Sequence, residues 1–171
     1  MFKRYKFDTQ KFKLGMRTLK SGLAVFLVIL LFRLLKWDGI QIAALSAVFS
    51  LREDFGKSVH FGSSLVLSNS IGGFYALLYF ILNDLFSHNF WVTLIFIPIF
   101  TMLTIMTNVS FNNAPGVISG VATMLIIALS VPAGDSIFYT LQRVFETFVG
   151  VFISVIVNYD VNLIKNRFYK E

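Results

Sequence analysis

The chain contains no cysteine, which excludes a disulfide framework, a thiolate zinc site and a cysteine nucleophile together. It has two histidines, His60 and His88, and neither lies in a metal-ligand pattern. No Walker-type phosphate loop and no Ser-His-Asp constellation is present, so neither an enzyme nor an ATP-driven pump is indicated, and no cofactor or metal is expected. Charge is scarce as well. Only 14% of residues are Asp, Glu, Lys or Arg, against about 25% in a soluble domain.

What fills the chain instead is apolar. Of its 171 residues 56% are hydrophobic, 20 are Phe, and the mean hydropathy is +0.74. The excess lies in long runs, the mark of an all-α integral membrane protein. The net charge of +6 does not point to nucleic acid, because of where it sits. Seven Lys/Arg fall in Met1–Lys20 and three follow Asp160. Basic ends around an apolar middle read as anchors on anionic membrane lipid. Leu23–Leu35 followed by Ala44-Leu45-Ser46 has the outline of a signal peptide. However, a leader of roughly twenty residues and several later apolar runs make it a first membrane helix.

Along the chain, Phe2, Tyr5, Phe12, Met16 and Leu19 recur near helical period among lysines and arginines. This predicts a basic amphipathic helix over 1–20, lying on the membrane. Six membrane helices are then expected: Ser21–Leu35, Ile40–Leu51, Ser63–Leu82, Phe90–Thr107 bent at Pro98, Pro115–Val131, and Ile137–Tyr159, followed by a cytoplasmic tail over 160–171. Asp38 is expected to cap the second helix, and Asp135 or Ser136 the sixth. Phe55–Gly62 reads as a polar connector. The second helix, with about a dozen apolar residues, is too short for a full span of about twenty. With the N-terminus inside, twelve of the fifteen Lys/Arg face the cytoplasm, so both termini are expected there.

A shift of 77 residues brings Gly39 onto Gly116, Ala43 onto Gly120, Ser46 onto Thr123, Ser70 onto Thr147 and Gly73 onto Gly150. Small residues meet small residues, as at close helix crossings. Because each unit, 21–82 and 90–159, has three helices, the second enters the membrane inverted. Inverted repeats place a transporter's site near the midplane between the units.

Within the last apolar run, "RVFETFVG" puts Arg143 and Glu146 three apart on one helix face, with Gly150 one turn further. A charge at the bilayer centre costs roughly 2.5–3.5 kcal/mol on insertion scales, so this face turns away from lipid. Arg143 offers a cation to a carboxylate and Glu146 a proton-coupling group; the pair equally suits a structural ion pair. Gln142 stands beside them. Asn69, inside the third helix, either bonds across helices or lines a path. Gly72, Gly73, Gly120 and Gly150 read as helix-packing surfaces. Arg52-Glu53-Asp54 reads as a solvated helix end, and Asn108, Asn112 and Asn113 as a turn.

A basic leader running into "RTLKSGLAVFLVILLF", the small-residue helix "AALSAVFSL" and "RVFETFVG" together resemble the aromatic acid exporter family, within the fusaric-acid-resistance-like membrane proteins. The resemblance implies a six-helix module in a bacterial cell membrane, oligomeric assembly, and export of aromatic carboxylates or related organic anions. Two departures are visible. The chain ends twelve residues after Tyr159, which leaves no appended cytoplasmic domain. Val66 stands where the repeat would place a partner for Arg143. The leading expectation is a proton-coupled secondary exporter acting as a homo-oligomer, a dimer being simplest. A non-transporting membrane subunit and a passive oligomeric channel are the alternatives.

Overall fold

The computed structural model describes residues 15–52, 54–86, 89–130 and 136–168. They form helices α1 (Met16–Leu35), α2 (Ile40–Ser50), α3 (Phe55–Leu85), α4 (Phe90–Ser110), α5 (Val117–Ser130) and α6 (Ser136–Phe168), with a 3₁₀ turn, Ala114–Gly116, leading into α5. No strand occurs among the described residues.

Four helices, α1, α3, α4 and α6, are long and apolar enough to cross a membrane. At 1.5 Å per residue the 11 residues of α2 and 14 of α5 reach only about 16 and 21 Å, against a hydrocarbon core of about 30 Å.

Several boundaries differ from those expected. The polar stretch Phe55–Gly62 is not a connector but the first two turns of α3. The stretch holds no proline to break a helix, and Lys57 bridges Asp54 at 2.9 Å across one turn. Likewise α6 runs on to Phe168, through most of the expected tail. α1 begins at Met16, five residues early, which takes up the last part of the expected amphipathic helix. Residues 1–14 and Asp135 lie outside the described residues. Asp38 does not cap α2. Gly39 holds the N-cap position with φ +86°, and no side chain bonds to the helix start. Pro115 sits in the 3₁₀ turn rather than opening α5.

Two apolar clusters hold the bundle. One joins Val28 and Phe32 of α1 to Ala43 and Ala47 of α2 and to Ile153 and Val157 of α6. The other joins Ala76, Tyr79 and Phe80 of α3 to Phe100 of α4 and to Met124 and Ile127 of α5. α3 and α6 pack against each other between the two clusters. Outward faces carry Phe26, Leu34, Trp91, Met102 and Ile118, all exposed. This is the arrangement lipid allows, because lipid-facing apolar side chains cost nothing and helix contacts form through small residues.

The two short helices start deep. The α1–α2 turn reaches Glu146, since a Cβ on Gly39 would overlap that carboxylate. Glu146 lies ten residues into α6, about 15 Å from its start. The α4–α5 turn reaches α3 at Ser64 and Ser68: Ser64 Oγ donates to Asn113 Oδ1, and Ser68 Oγ to the Gly116 carbonyl. Ser64 lies nine residues into α3, about 14 Å from its start.

Candidate functional site

α6 carries the predicted charged face into the bundle. Glu146 is 2% exposed. Its Oε2 accepts from Arg143 Nη1 at 3.1 Å and its Oε1 from Gln142 Nε2 at 2.9 Å. Arg143 also donates from Nη2 to the Tyr139 hydroxyl and lies over the Tyr139 ring, its Cζ 4.5 Å from the centroid. Spacings of three and four residues make this a single-helix cluster, 139, 142, 143 and 146 sharing one face. Glu146 and Gln142 border a cavity of about 450 Å³, walled by Phe32, Trp37, Phe138 and Phe145, with Lys36 and Asp38 at its rim. Trp37 meets Phe32 and Phe145 edge-on at 5.9 and 5.5 Å.

Asn69 is not part of that cluster. It is 2% exposed at the α3–α6 crossing, where its Nδ2 donates to Thr147 Oγ1 at 2.7 Å and its Oδ1 accepts from Ser119 of α5 at 2.7 Å. It therefore bonds across three helices and also borders a second cavity, of about 250 Å³, between α2, α3 and α5. The four predicted site residues thus divide into Gln142 and Glu146 at one cavity, with Arg143 paired to Glu146 behind it, and Asn69 at another.

Two features went unread in the sequence. Arg52 is not at a solvated helix end. It is half-buried, its Cζ stands 3.7 Å above the Phe61 ring, and its Nε is buried without an acceptor. Burial, and then the positive charge of Arg17, lower its pKa. Its backbone is clamped at both polar groups: the N–H donates to Ser58 Oγ at 2.7 Å and the carbonyl accepts from Asn158 Nδ2 at 3.2 Å. Asn158 in turn donates to Ser58 Oγ at 2.8 Å and accepts from the buried Lys20 Nζ at 2.6 Å. One network so ties the starts of α1 and α3 and the α2–α3 turn to the end region of α6. Removing a partner from buried donors costs about 1–3 kcal/mol, so Asn158→Ala should lower the melting temperature in detergent by several degrees; an unchanged melt would remove the network from the account of stability.

The second feature is the asparagine turn. Asn113 Nδ2 donates to the Ser64 carbonyl and to Asn108 Oδ1, both at 3.0 Å. Asn108 and Asn113 are buried, so they fasten the start of α5 to α3, and only Asn112, exposed with φ +53°, is simply a turn residue. Neither feature is complete in the local sequence, because each depends on partners 49 to 138 residues away as well as on near ones.

No cluster of three or more metal-ligating side chains occurs among the described residues. Comparison with curated proteins and with solved structures returned no match to either. A family sequence model, aromatic acid exporter family member 1, matches residues 12–161. That covers α1 to α5, α6 as far as residue 161 and the Arg143–Glu146 cluster, and the chain therefore belongs to the aromatic acid exporter family, a family of transporter-type membrane proteins.

Proposed function

We propose that the chain is a secondary exporter of small organic anions, aromatic carboxylates foremost, driven by protons that enter through Glu146. The observation that carries this reading is the Arg143–Glu146 ion pair, whose buried Glu146 carboxylate borders an aromatic-walled cavity. A carboxylate inside a membrane is a proton-relay group by default. Its protonation frees the adjacent guanidinium for a substrate carboxylate. In this mechanism Glu146 at rest accepts from Arg143 and Gln142. A proton reaching Glu146 from outside releases Arg143; on the cytoplasmic side the proton leaves as the anion engages Arg143, and release of the anion outside restores the pair. With both termini in the cytoplasm, as the Lys/Arg distribution favours, that cavity opens outward and the inward proton gradient drives export.

An inverted-repeat architecture is part of this reading, and three contacts support it. Gly39 and Gly116 each begin a short helix deep in the bundle. Ala43 of α2 abuts Gly150 of α6 much as Gly120 of α5 abuts Gly72 of α3. These crossings relate the short helices by 77 residues and the long ones by 78, so Gly72, rather than Gly73, is the counterpart of Gly150. Under that relation Asn69 and Thr147 are equivalent, and they hydrogen-bond to each other, as equivalent residues beside a two-fold axis can. A homodimer is the simplest working unit, closed symmetry being the usual solution.

Purified protein in liposomes loaded with an aromatic acid tests the function. Flux that follows an imposed pH gradient is expected. Flux indifferent to the gradient would make the protein a channel, and no flux with any of a panel of acids would make it a subunit of something else.

A further inference from the structure

The cavity between α2, α3 and α5 stands apart from Glu146, and its walls have an order that the pair mechanism does not explain. From α2 come Ile42, Leu45, Ser46 and Phe49; from α5 come Ser119, Ala122, Thr123 and Ile126. Each residue of the second set is 77 positions after its counterpart in the first. The two short helices therefore face each other across this space with matching residues, and Asn69 forms part of its lining between them. In inverted-repeat transporters the midplane interface between the units is where the substrate sits.

The match does not extend to the cavity's one charged residue. Arg52 borders the cavity, and its counterpart 77 residues on is Leu129. Among the described residues the guanidinium of Arg52 has no carboxylate partner and no hydrogen-bond acceptor, and its Nε is fully buried. A buried donor left unsatisfied calls for an explanation. The Phe61 ring lies beneath the guanidinium, with Phe49 also on the wall. Apart from Arg52, the polar groups are neutral: Ser46, Asn69, Ser119 and Thr123. One cation without a partner among the described residues, two rings and an otherwise uncharged wall match a flat apolar body bearing a single negative charge. At about 250 Å³ the space lies just under the usual range of ligand pockets, about 300–1,000 Å³, which suits an acid of one or two rings.

We propose that this cavity is the organic-anion binding site, with Arg52 as the counter-ion of the carboxylate and Phe61 and Phe49 against the ring. The proposal rests on the exporter reading and changes one role in it: Arg52 and the α2–α5 cavity receive the anion in place of Arg143, and Arg143–Glu146 handles the proton. Burial and Arg17 both disfavour the charge on Arg52, a cost that a bound carboxylate offsets. A lipid headgroup phosphate carries the same charge and reaches the same exposed rim at Leu45 and Ile118, so the test separates the two sources.

Full-length protein in nanodiscs of zwitterionic lipid is titrated with 1-naphthoate, and binding is read by the ligand's fluorescence. Saturable binding is expected, weakened ten-fold or more in Arg52→Gln, since a charge-assisted pair is lost, and abolished in Ala122→Phe, which fills the cavity from an exposed position without touching any charge. Both variants are first matched to wild type by elution and melting. Wild-type affinity in either folded variant overturns the proposal. So does the absence of naphthoate binding in neutral discs, or Arg52-dependent capture of phosphatidylglycerol that naphthoate does not displace. Nanodiscs hold no gradient, so a failure of liposome flux with Arg52-dependent binding intact would refute the exporter reading and leave this site standing.

Discussion

Arg143→Ala should cost the chain about 3–5 kcal/mol, the usual penalty for removing one member of a buried ion pair, and little folded protein should survive detergent extraction. Glu146 would keep only the Gln142 amide at 2.9 Å and would lose its counter-charge. Arg143→Leu combined with Glu146→Leu should recover most of the lost stability, because apolar residues of similar volume replace such pairs at little net cost. Glu146→Gln should also fold, since an amide keeps the shape and hydrogen-bonds to both neighbours. Thermal unfolding in detergent ranks the three. Their transport then separates structure from mechanism. If the pair is the coupling device, Glu146→Gln and the double variant are folded and export nothing in response to a pH gradient. A folded double variant that exports at the wild-type rate would end the role assigned to Glu146 and leave the pair as a structural tie.

The i, i+3 relation of Arg143 and Glu146 was legible from spacing alone, because both partners belong to one helix and helical geometry fixes their neighbourhood. The apolar runs were legible for the same local reason. The ends of α3 and α6 were not: hydropathy reports where lipid begins, and a helix can continue past that boundary with polar residues, as Phe55–Gly62 and 160–168 do. In the repeat reading Gly39 and Gly116 mark equivalent turns, and the glycine contacts favour an offset of 78 for the long helices where spacing alone suggested 77. Arg52 was misread because its setting is assembled from Phe61 one helix on, Asn158 at the far end of the chain and the α5 wall beyond 115. A residue beside Glu53 and Asp54 in sequence looks solvated, whereas the fold sets its guanidinium over the Phe61 ring.

Gly72→Ala and Gly150→Ala should each destabilise the bundle more than any other single methyl addition at a glycine of the long helices, by about 1–3 kcal/mol for overpacking and more if the helices separate. A Cβ at Gly72 would strike the carbonyl of Gly120 and lie 3.2 Å from the Met124 nitrogen; one at Gly150 would strike the Ala43 carbonyl and lie 3.0 Å from its Cα. These obstacles are backbone, so relief requires α3 to move off α5, or α6 off α2. Within lipid no hydrophobic force draws the helices back together; close backbone approach is itself the source of their attraction. Gly73 differs, because its added methyl would meet Thr140 Cγ2 at 2.9 Å and Val144 Cγ2 at 3.5 Å, side chains with some freedom to turn, and Gly73→Ala should cost less. Gly22 has nothing within 4 Å, so Gly22→Ala should stabilise α1 slightly, by up to about 0.5–1 kcal/mol from helix propensity. Melting temperatures of the four variants should therefore fall in the order Gly22, Gly73, then Gly72 with Gly150, with only the first at or above wild type. Should Gly72→Ala melt with Gly22→Ala, the α3–α5 crossing would not be the close contact on which the depth of the α4–α5 turn depends.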